Sequence, residues 1–407
     1  MPPSSVPMHL AVALDGAGWH PAAWREPDAR PTALFTATYW VDLVREAERG
    51  LLDFVTIEDS LSLQSSRRDG PDERTDQVRG RLDAVLIAAR VAPLTRNIGL
   101  VPTVVVTHTE PFHVSKAIAT LDYASTGRAG VRVRVSARPD EAAHFGRRPP
   151  PEARGDDRPA GQQLIAALLD EAADYVEVVR RLWDSWEDDA EIRDVATGRF
   201  IDRGKLHYID FTGRYFSVKG PSITPRPPQG QPIVSALAHG GPAYRLIARC
   251  ADAGYVTPRD AADVRAIVAE IGSALDAVGR AHAHPHLFGD VAVFLDEAPA
   301  AAVGRKARMD DRVGAEYRGD AAVFAGTPSQ LADLLQEWHE AGLSGFRLRP
   351  GAIPHDLAAI TRGLVPELQR RGVFRRGYEA ATLRGLLGLG RPASRYAPPA
   401  ARKDVPA

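Results

Sequence analysis

Cysteine is almost absent from this chain of 407 residues, in which Cys250 is the only one. A single cysteine excludes an intramolecular disulfide and any metal site built from several cysteines. Net charge is nearly absent too: the formal value is −1. A chain without excess positive charge is a poor partner for nucleic acid or for an anionic membrane surface, so the expected ligand is a small molecule.

Long apolar runs are also missing from the sequence. No segment reaches the roughly 20 apolar residues that a membrane-spanning helix needs. The first residues, MPPSSVPMHLAVAL, lack the basic start of a secretory signal. The composition therefore predicts a globular protein of the cytoplasm.

What the chain does have is a regular alternation of strand and helix signals. About eight apolar strands separated by helical segments favour an α/β fold, a closed parallel (β/α)8 TIM barrel, over an open sheet. The predicted strands cover His9–Leu14, Phe54–Ile57, Ile98–Val106, Val131–Ser136, Ile233–Leu237, Tyr255–Val256, Phe288–Leu295 and Gly345–Leu348.

Two segments interrupt this alternation. Residues 147–161 are rich in proline, arginine and aspartate and predict a loop, whereas 187–230 contain the hairpin-like stretch LHYIDFTGRYFSVKGP. We interpret both as insertions in a single barrel domain over residues 1–392. Residues 393–407 are then a tail.

Residues 99–146 form the most informative segment because they predict strand, helix and strand in one unbroken run. Such a unit implies parallel strands, and chemistry in barrels of this kind lies where the strands end. The strand ends here carry polar side chains, namely Thr103, Thr107, His108, Arg132, Arg134 and Ser136.

The second of these strands alternates valine with polar residues, so that Arg132, Arg134 and Ser136 share one face. An arginine that points into a barrel is costly unless it is paired, and the candidate partners are Asp15, Glu58 and Asp59. Three interpretations stay open: a structural ion-pair network, a pocket for a phosphate or carboxylate, and an exposed edge strand.

Histidines recur in the predicted strand-end loops. Each one alone is more typical of a structural or surface residue, but a set at one barrel mouth could carry protons near neutral pH. These are His20, His108, His113, His144 and His239. The run His282-Ala-His284-Pro-His286 looks like a metal motif, yet it precedes its strand and would lie at the opposite end of the barrel. We therefore predict no metal site.

Several stretches resemble one known family along nearly the whole chain. They include EAERGLLDFVTIEDS (46–60), TLDYASTGRAG (120–130), GRYFSVKGP (213–221), GTPSQLADLLQEWHEAGLSGF (326–346) and VPELQRRGVFRRGYEAATLRGLLGLGRP (365–392). The family is that of the bacterial-luciferase-like flavin-dependent monooxygenases, in the nitrilotriacetate and dibenzothiophene-sulfone monooxygenase branch. The resemblance implies a luciferase-like TIM barrel with insertions, in agreement with the strand count.

The resemblance also implies a cofactor, partners and a site. Reduced FMN would be a cosubstrate supplied by a separate flavin reductase, and O₂ would be used to oxygenate a small organic substrate in a homodimeric enzyme. Proton handling would fall to His108 and His144. The positions that match the flavin contacts are Asp59, Thr103, Arg132 and Ser136, together with the turn Ala238, His239, Gly240 and Gly241.

The matching positions also differ from the family pattern. Where the family has G-W-N-V-V-T-S, this chain has GVRVRVS, so that Arg132 stands at the asparagine position. Two alternatives therefore stay open beside the FMN-dependent monooxygenase. One is a hydride-transfer oxidoreductase that uses the deazaflavin F420, and the other is a non-catalytic barrel that has lost its flavin site.

Overall fold

The computed structural model describes residues 7–65, 67, 70–146 and 158–397. Its centre is a closed barrel of eight parallel strands, which confirms the predicted α/β fold. In chain order the strands are β1 (His9–Leu14), β2 (Phe54–Ile57), β3 (Gly99–Val105), β4 (Gly130–Arg134), β5 (Ile233–Ala238), β6 (Ala253–Val256), β7 (His286–Leu295) and β8 (Gly345–Pro350).

The barrel closes because β8 pairs in parallel with both β7 and β1. A further parallel strand, Ala322–Gly326, pairs with residues 291–295 of β7, whereas β6 pairs with β7 only as far as Gly289. The extra strand thus continues the edge of β7 beyond the end of β6. As a result, the segment before this strand lies at the carboxyl-terminal mouth of the barrel.

Helices surround the strands and begin at capping residues that the sequence supplies. The side chain of Thr36 caps the first helix, that of Asp83 caps the second, and Thr327 with Gln330 forms a capping box. The helices are α1 (Ala37–Arg49), α2 (Ala84–Val91), α3 (Pro111–Ala124), α4 (Pro139–Ala143), α5 (Arg158–Asp184), α6 (Gly241–Cys250), α7 (Ala261–Ala277), α8 (Pro299–Val313), α9 (Pro328–Glu340), α10 (His355–Ala359), α11 (Val365–Arg370) and α12 (Leu383–Leu386).

The predicted insertions and tail have different outcomes. Of the predicted loop 147–161, residues 147–157 lie outside the described residues, whereas 158–161 are helical as the first turn of α5, so the loop prediction was wrong there. Residues 187–230 contain two short antiparallel pairs, Glu191–Asp194 with Arg199–Ile201 and Phe211–Thr212 with Ser217–Val218. The first part of the tail packs against this insertion, since the ring of Tyr396 stacks on that of His207 at 3.8 Å.

The amino-terminal half of the barrel interior is apolar. Inward-facing aromatic and aliphatic side chains from the strands fill it, and α12 covers its open end. This inner cluster includes Phe54, Val101, Ile233, Tyr255, Phe288, Leu383 and Leu387. A larger cluster fills the space between the strands and the surrounding helices.

Membrane and metal sites can be assessed within the described ranges. None of the helices there is long and apolar enough to cross a membrane. Among the same residues, no three histidine, cysteine or acidic side chains are grouped to hold a metal ion. The imidazole of His286 contacts the backbone carbonyl of Leu387 at 2.8 Å, at the amino-terminal end of the barrel.

Candidate active site

A cavity of about 360 Å³ lies at the carboxyl-terminal mouth of the barrel. Its lining comes from the ends of five strands and from the loops that follow them. The charged lining residues are Asp15, Glu58, Asp59, Arg81, Arg132, Arg134, Arg138, Asp320 and Arg349, beside Trp19, Leu237 and the polar loop over residues 60–65.

Arg132 forms part of the cavity floor and is held by a carboxylate. Its guanidinium donates to Glu58 at 2.5 Å and to the hydroxyl of Thr103 at 3.1 Å. The Nε atom of Arg132 is buried and has no hydrogen-bond partner among the described residues. The ion-pair interpretation therefore describes this residue, while one of its donors stays available to a ligand.

The sequence analysis missed two further arginines, of which Arg349 lines the cavity and Arg347 is fully buried next to it. Arg347 donates to Asp290 at 2.8 Å, and Arg349 contacts both Asp290, at 2.9 Å, and Asp320, at 2.5 Å. The guanidinium of Arg347 also lies over the ring of Tyr255 at 4.0 Å. The signal was present in the sequence, because GFRLRP alternates apolar and arginine residues just as GVRVR does in β4.

Two of the carboxylates at the cavity, those of Glu58 and Asp320, are ionised at neutral pH. Burial opposes ionisation of Glu58, but the nearby guanidiniums of Arg132, Arg347 and Arg349 outweigh it and lower the pKa of Glu58 to about 2. Burial likewise opposes ionisation of Asp320, whose pKa is lowered to about 2 by its hydrogen bond with Arg349. The floor is thus a set of paired charges.

Arg134 differs from these arginines in the way it is held. Its guanidinium makes one hydrogen bond, to the backbone carbonyl of Asp59 at 2.6 Å. No carboxylate of the described chain lies within salt-bridge distance of it. Arg134 is half-buried and lines the cavity, so its remaining donors can reach a ligand there.

Asp59 lines the cavity but is engaged by the backbone. Its carboxylate accepts from the amide of Ser60 at 2.7 Å and from that of Ala84 at 2.9 Å, which ties the end of β2 to the start of α2. Burial raises the pKa of Asp59. This residue therefore shapes the wall of the cavity.

The other predicted flavin contacts lie around the cavity and do not line it. Ser136 is buried, and its amide donates to the hydroxyl of Thr107 at 2.9 Å. After β5, His239 lies 3.0 Å from Thr257 and 3.3 Å from Asp320, which is a lining residue. Gly240 and Gly241 follow, and α6 begins there without a side-chain cap.

The structure does not bring the two predicted proton carriers to this cavity. His108 lines a separate pocket of about 160 Å³ near Tyr175 and Phe216, and its ring stacks on Phe145 at 5.3 Å. His144 is exposed just after α4. No histidine is found among the described residues that line the larger cavity.

Three comparisons with known proteins agree with this fold. Residues 17–308 match the family model described as luciferase-like monooxygenase. The chain is 32% identical to N-acetyl-S-(2-succino)cysteine monooxygenase of Bacillus subtilis, over 95% of this chain and 98% of that protein. It is 29% identical to nitrilotriacetate monooxygenase component A of Aminobacter aminovorans, over 96% and 98%.

A comparison with solved structures also finds a protein of the same fold. Riboflavin lyase, determined with modified FMN and riboflavin, superposes with a TM-score of 0.83 at 25% identity, over 97% of this chain and 99% of that one. The present chain belongs to the luciferase-like monooxygenase family. It is a flavin-dependent monooxygenase, as the resemblance in the sequence implied.

The residues at the barrel mouth fit a flavin. The cavity volume of about 360 Å³ lies within the range of roughly 300–1,000 Å³ that is usual for small-molecule sites. The unpartnered Nε of Arg132 can donate to a ring acceptor. A Cβ atom at Gly240 would meet nothing within 4 Å, which leaves the backbone there open to a phosphate.

Proposed function

We propose that the protein is the oxygenating component of a two-component system. It takes reduced FMN from a separate flavin reductase and uses O₂ to oxygenate a small organic substrate. The observation that carries this proposal is the donor-rich cavity at the carboxyl-terminal mouth of a barrel whose full-length relatives are monooxygenases. These relatives favour it over F420-dependent hydride transfer and over a non-catalytic barrel.

Each group at the mouth has a specific part in this proposal. The turn Ala238–Gly241 and the start of α6 would hold the phosphate, and Thr103, Ser136 and Asp59 would shape the wall beside the ring. Arg132 would donate its free Nε–H to the ring and keep it oriented. Bound reduced flavin supplies the oxygen-activating chemistry, and the protein positions it and excludes water.

His108 and His144 remain our proposed proton carriers. Neither lines the cavity, so either one would have to exchange protons with the site from outside the cavity lining. We expect His108→Ala to lower product yield more than His144→Ala, since His108 lines a pocket whereas His144 is exposed. Hydrogen peroxide release and product formation, measured with one reduced-flavin supply, would check this.

The cofactor is tested by titration of the purified chain. We expect oxidised and chemically reduced FMN to bind, with quenching of protein fluorescence, and F420 to bind at least tenfold more weakly. A matched control is Arg132→Lys, which keeps the charge but removes Nε–H, and which we expect to weaken FMN binding severalfold. Preferential binding of F420, or no binding of either cofactor, would contradict the proposal.

Assembly and location complete the proposal. We expect a homodimer that works in the cytoplasm beside its reductase and contacts neither membrane nor nucleic acid. Sedimentation equilibrium of the purified chain at micromolar concentration checks the dimer. A monomer across that range would contradict it.

A further inference from the structure

The side chain of Arg134 points away from β5, the strand that precedes the predicted phosphate turn. The strands are ordered β2, β3, β4, β5 around the barrel. From β4, the guanidinium of Arg134 reaches the backbone carbonyl of Asp59 at the end of β2, so it extends across β3. The turn Ala238–Gly241 follows β5, on the opposite side. An anion at Arg134 and an anion at the turn would therefore occupy different sides of the cavity.

Among the described residues Arg134 makes no ion pair, and the carboxylates around it have other hydrogen-bond partners. Glu141, buried behind the wall, accepts from the hydroxyls of Ser60 at 2.7 Å and Ser62 at 3.2 Å. Every carboxylate that lines the cavity has its own partner: Asp15 with Arg81, Glu58 with Arg132, Asp320 with Arg349, and Asp59 with two backbone amides.

A second pocket adjoins the cavity on the side of β1. It has a volume of about 160 Å³ and shares Asp15, Trp19 and Gln64 with the cavity. Trp24 and Pro21 contribute further apolar surface. A molecule with an acidic group at Arg134 could therefore extend through the cavity toward this second pocket, which is lined by both apolar and polar side chains.

We propose that Arg134 binds the acidic group of the substrate, so that the molecule oxygenated here is a small organic anion. This inference rests on the proposed function and narrows its substrate class. A guanidinium matches the two oxygens of a carboxylate with parallel hydrogen bonds, and it binds a phosphonate or sulfonate oxygen pair in the same way. The neighbouring arginines are held in ion pairs and act as the surrounding wall.

The test is calorimetric titration of the full chain, without flavin, with succinate, nitrilotriacetate, inorganic phosphate and the neutral analogue succinamide. We expect at least one carboxylate to bind and succinamide not to bind. Arg134→Gln should weaken carboxylate binding about tenfold or more, because a charged hydrogen bond is lost. Arg134→Lys, which keeps the charge, should weaken it less.

The control removes the same charge elsewhere. Arg370→Gln lies on the outer surface of α11, where Arg370 is 71% exposed, and should leave carboxylate affinity unchanged. Thermal melts of each variant confirm that it is folded. If Arg134→Gln does not fold, the lysine variant and the comparison of succinate with succinamide still decide the matter.

Three results would overturn the inference: no carboxylate binds the wild-type chain, phosphate alone binds it, or Arg134→Gln binds carboxylates as the wild type does. Titration with FMN and riboflavin separates the cofactor from the substrate. We expect Arg134→Gln to keep FMN affinity within about twofold of wild type. A loss for FMN but not for riboflavin would assign Arg134 to the cofactor phosphate and also overturn the inference. If wild type fails to bind FMN, the proposed function fails, and the carboxylate result stands by itself.

Discussion

The two halves of the barrel interior are built from the same strands but are stabilised differently. In the amino-terminal half, Phe54, Tyr255 and Phe288 pack together under the cover of α12. In the carboxyl-terminal half, Asp290 follows Phe288 on the inward face of β7 and Glu58 lies just after the end of β2, and both carboxylates face arginines. Apolar packing adds directly to stability, whereas buried ion pairs return little net energy after their desolvation. The carboxyl-terminal half is therefore organised to bind a ligand, whereas the amino-terminal half stabilises the fold.

The largest loss of stability should come from a substitution in the carboxyl-terminal half, at the carboxylate that contacts two arginines. Asp290 is fully buried and contacts both Arg347 and Arg349. Asp290→Asn leaves two guanidiniums without their shared counter-charge, and we expect it to lower the free energy of unfolding by about 3–5 kcal/mol. Urea denaturation monitored by circular dichroism checks this. A loss below about 1 kcal/mol would mean that Arg347 and Arg349 do not depend on Asp290 as their shared counter-charge.

A cavity in the apolar amino-terminal half should lower the stability somewhat less than the loss of Asp290 does. Leu383 is fully buried in the cover over the barrel end. Leu383→Ala should lower the free energy of unfolding by about 2–4 kcal/mol through lost burial and the cavity left behind. The same denaturation experiment measures it. FMN binding should be unaffected, because the change lies at the far end of the barrel, and a weakened FMN site would show that the two halves are coupled.

Acid should destabilise the ionic half selectively. The pKa of Glu58 is lowered to about 2 in the folded protein. Its contribution to stability is thus present above about pH 4.5 and is lost as the pH falls toward about 2, on the order of 2–3 kcal/mol in all. Between pH 5 and pH 3, wild type should lose more stability than Glu58→Gln, which cannot titrate there. Equal slopes for the two proteins would refute this view of Glu58.

The smallest change in stability is expected at the outer surface, where an exposed ion pair serves as the reference for the buried ones. Arg249 pairs with Asp170 and Asp174 while 39% of its side chain is exposed. Arg249→Gln should change the free energy of unfolding by less than about 1 kcal/mol, because solvent screens such pairs. A loss as large as that of Asp290→Asn would mean that burial does not decide the value of an ion pair in this chain.

Secondary structure was largely predictable where apolar residues recurred at one constant spacing over several residues. The boundaries of β1 and β2 were predicted to the residue, and those of β3 to within one. Helical structure near the carboxyl terminus is less regular, since the two α-helices α10 and α11 are joined by the π-helical segment Ile360–Leu364. Pro366 lacks an amide to continue the ladder, which accounts for the break. The strand Ala322–Gly326 was not predicted, since only its pairing with β7 selects it.

The candidate site was only partly predictable. Asp59 and Arg132, two of the positions matched to the family's flavin contacts, line the cavity, and the alternation predicted Arg134 on the inward face. The sequence could not show which arginine keeps its charge available. That depends on partners far away in the chain, such as Glu58 for Arg132 and Asp320 for Arg349.

The sequence by itself determined the strands, their inward faces and membership of the family, because these depend on local period and on motifs. Only the tertiary structure decided the electrostatics of the mouth. Barrel closure brings β8 beside β1 and joins charges separated by hundreds of residues, so each pairing depends on distances in space that no local pattern encodes.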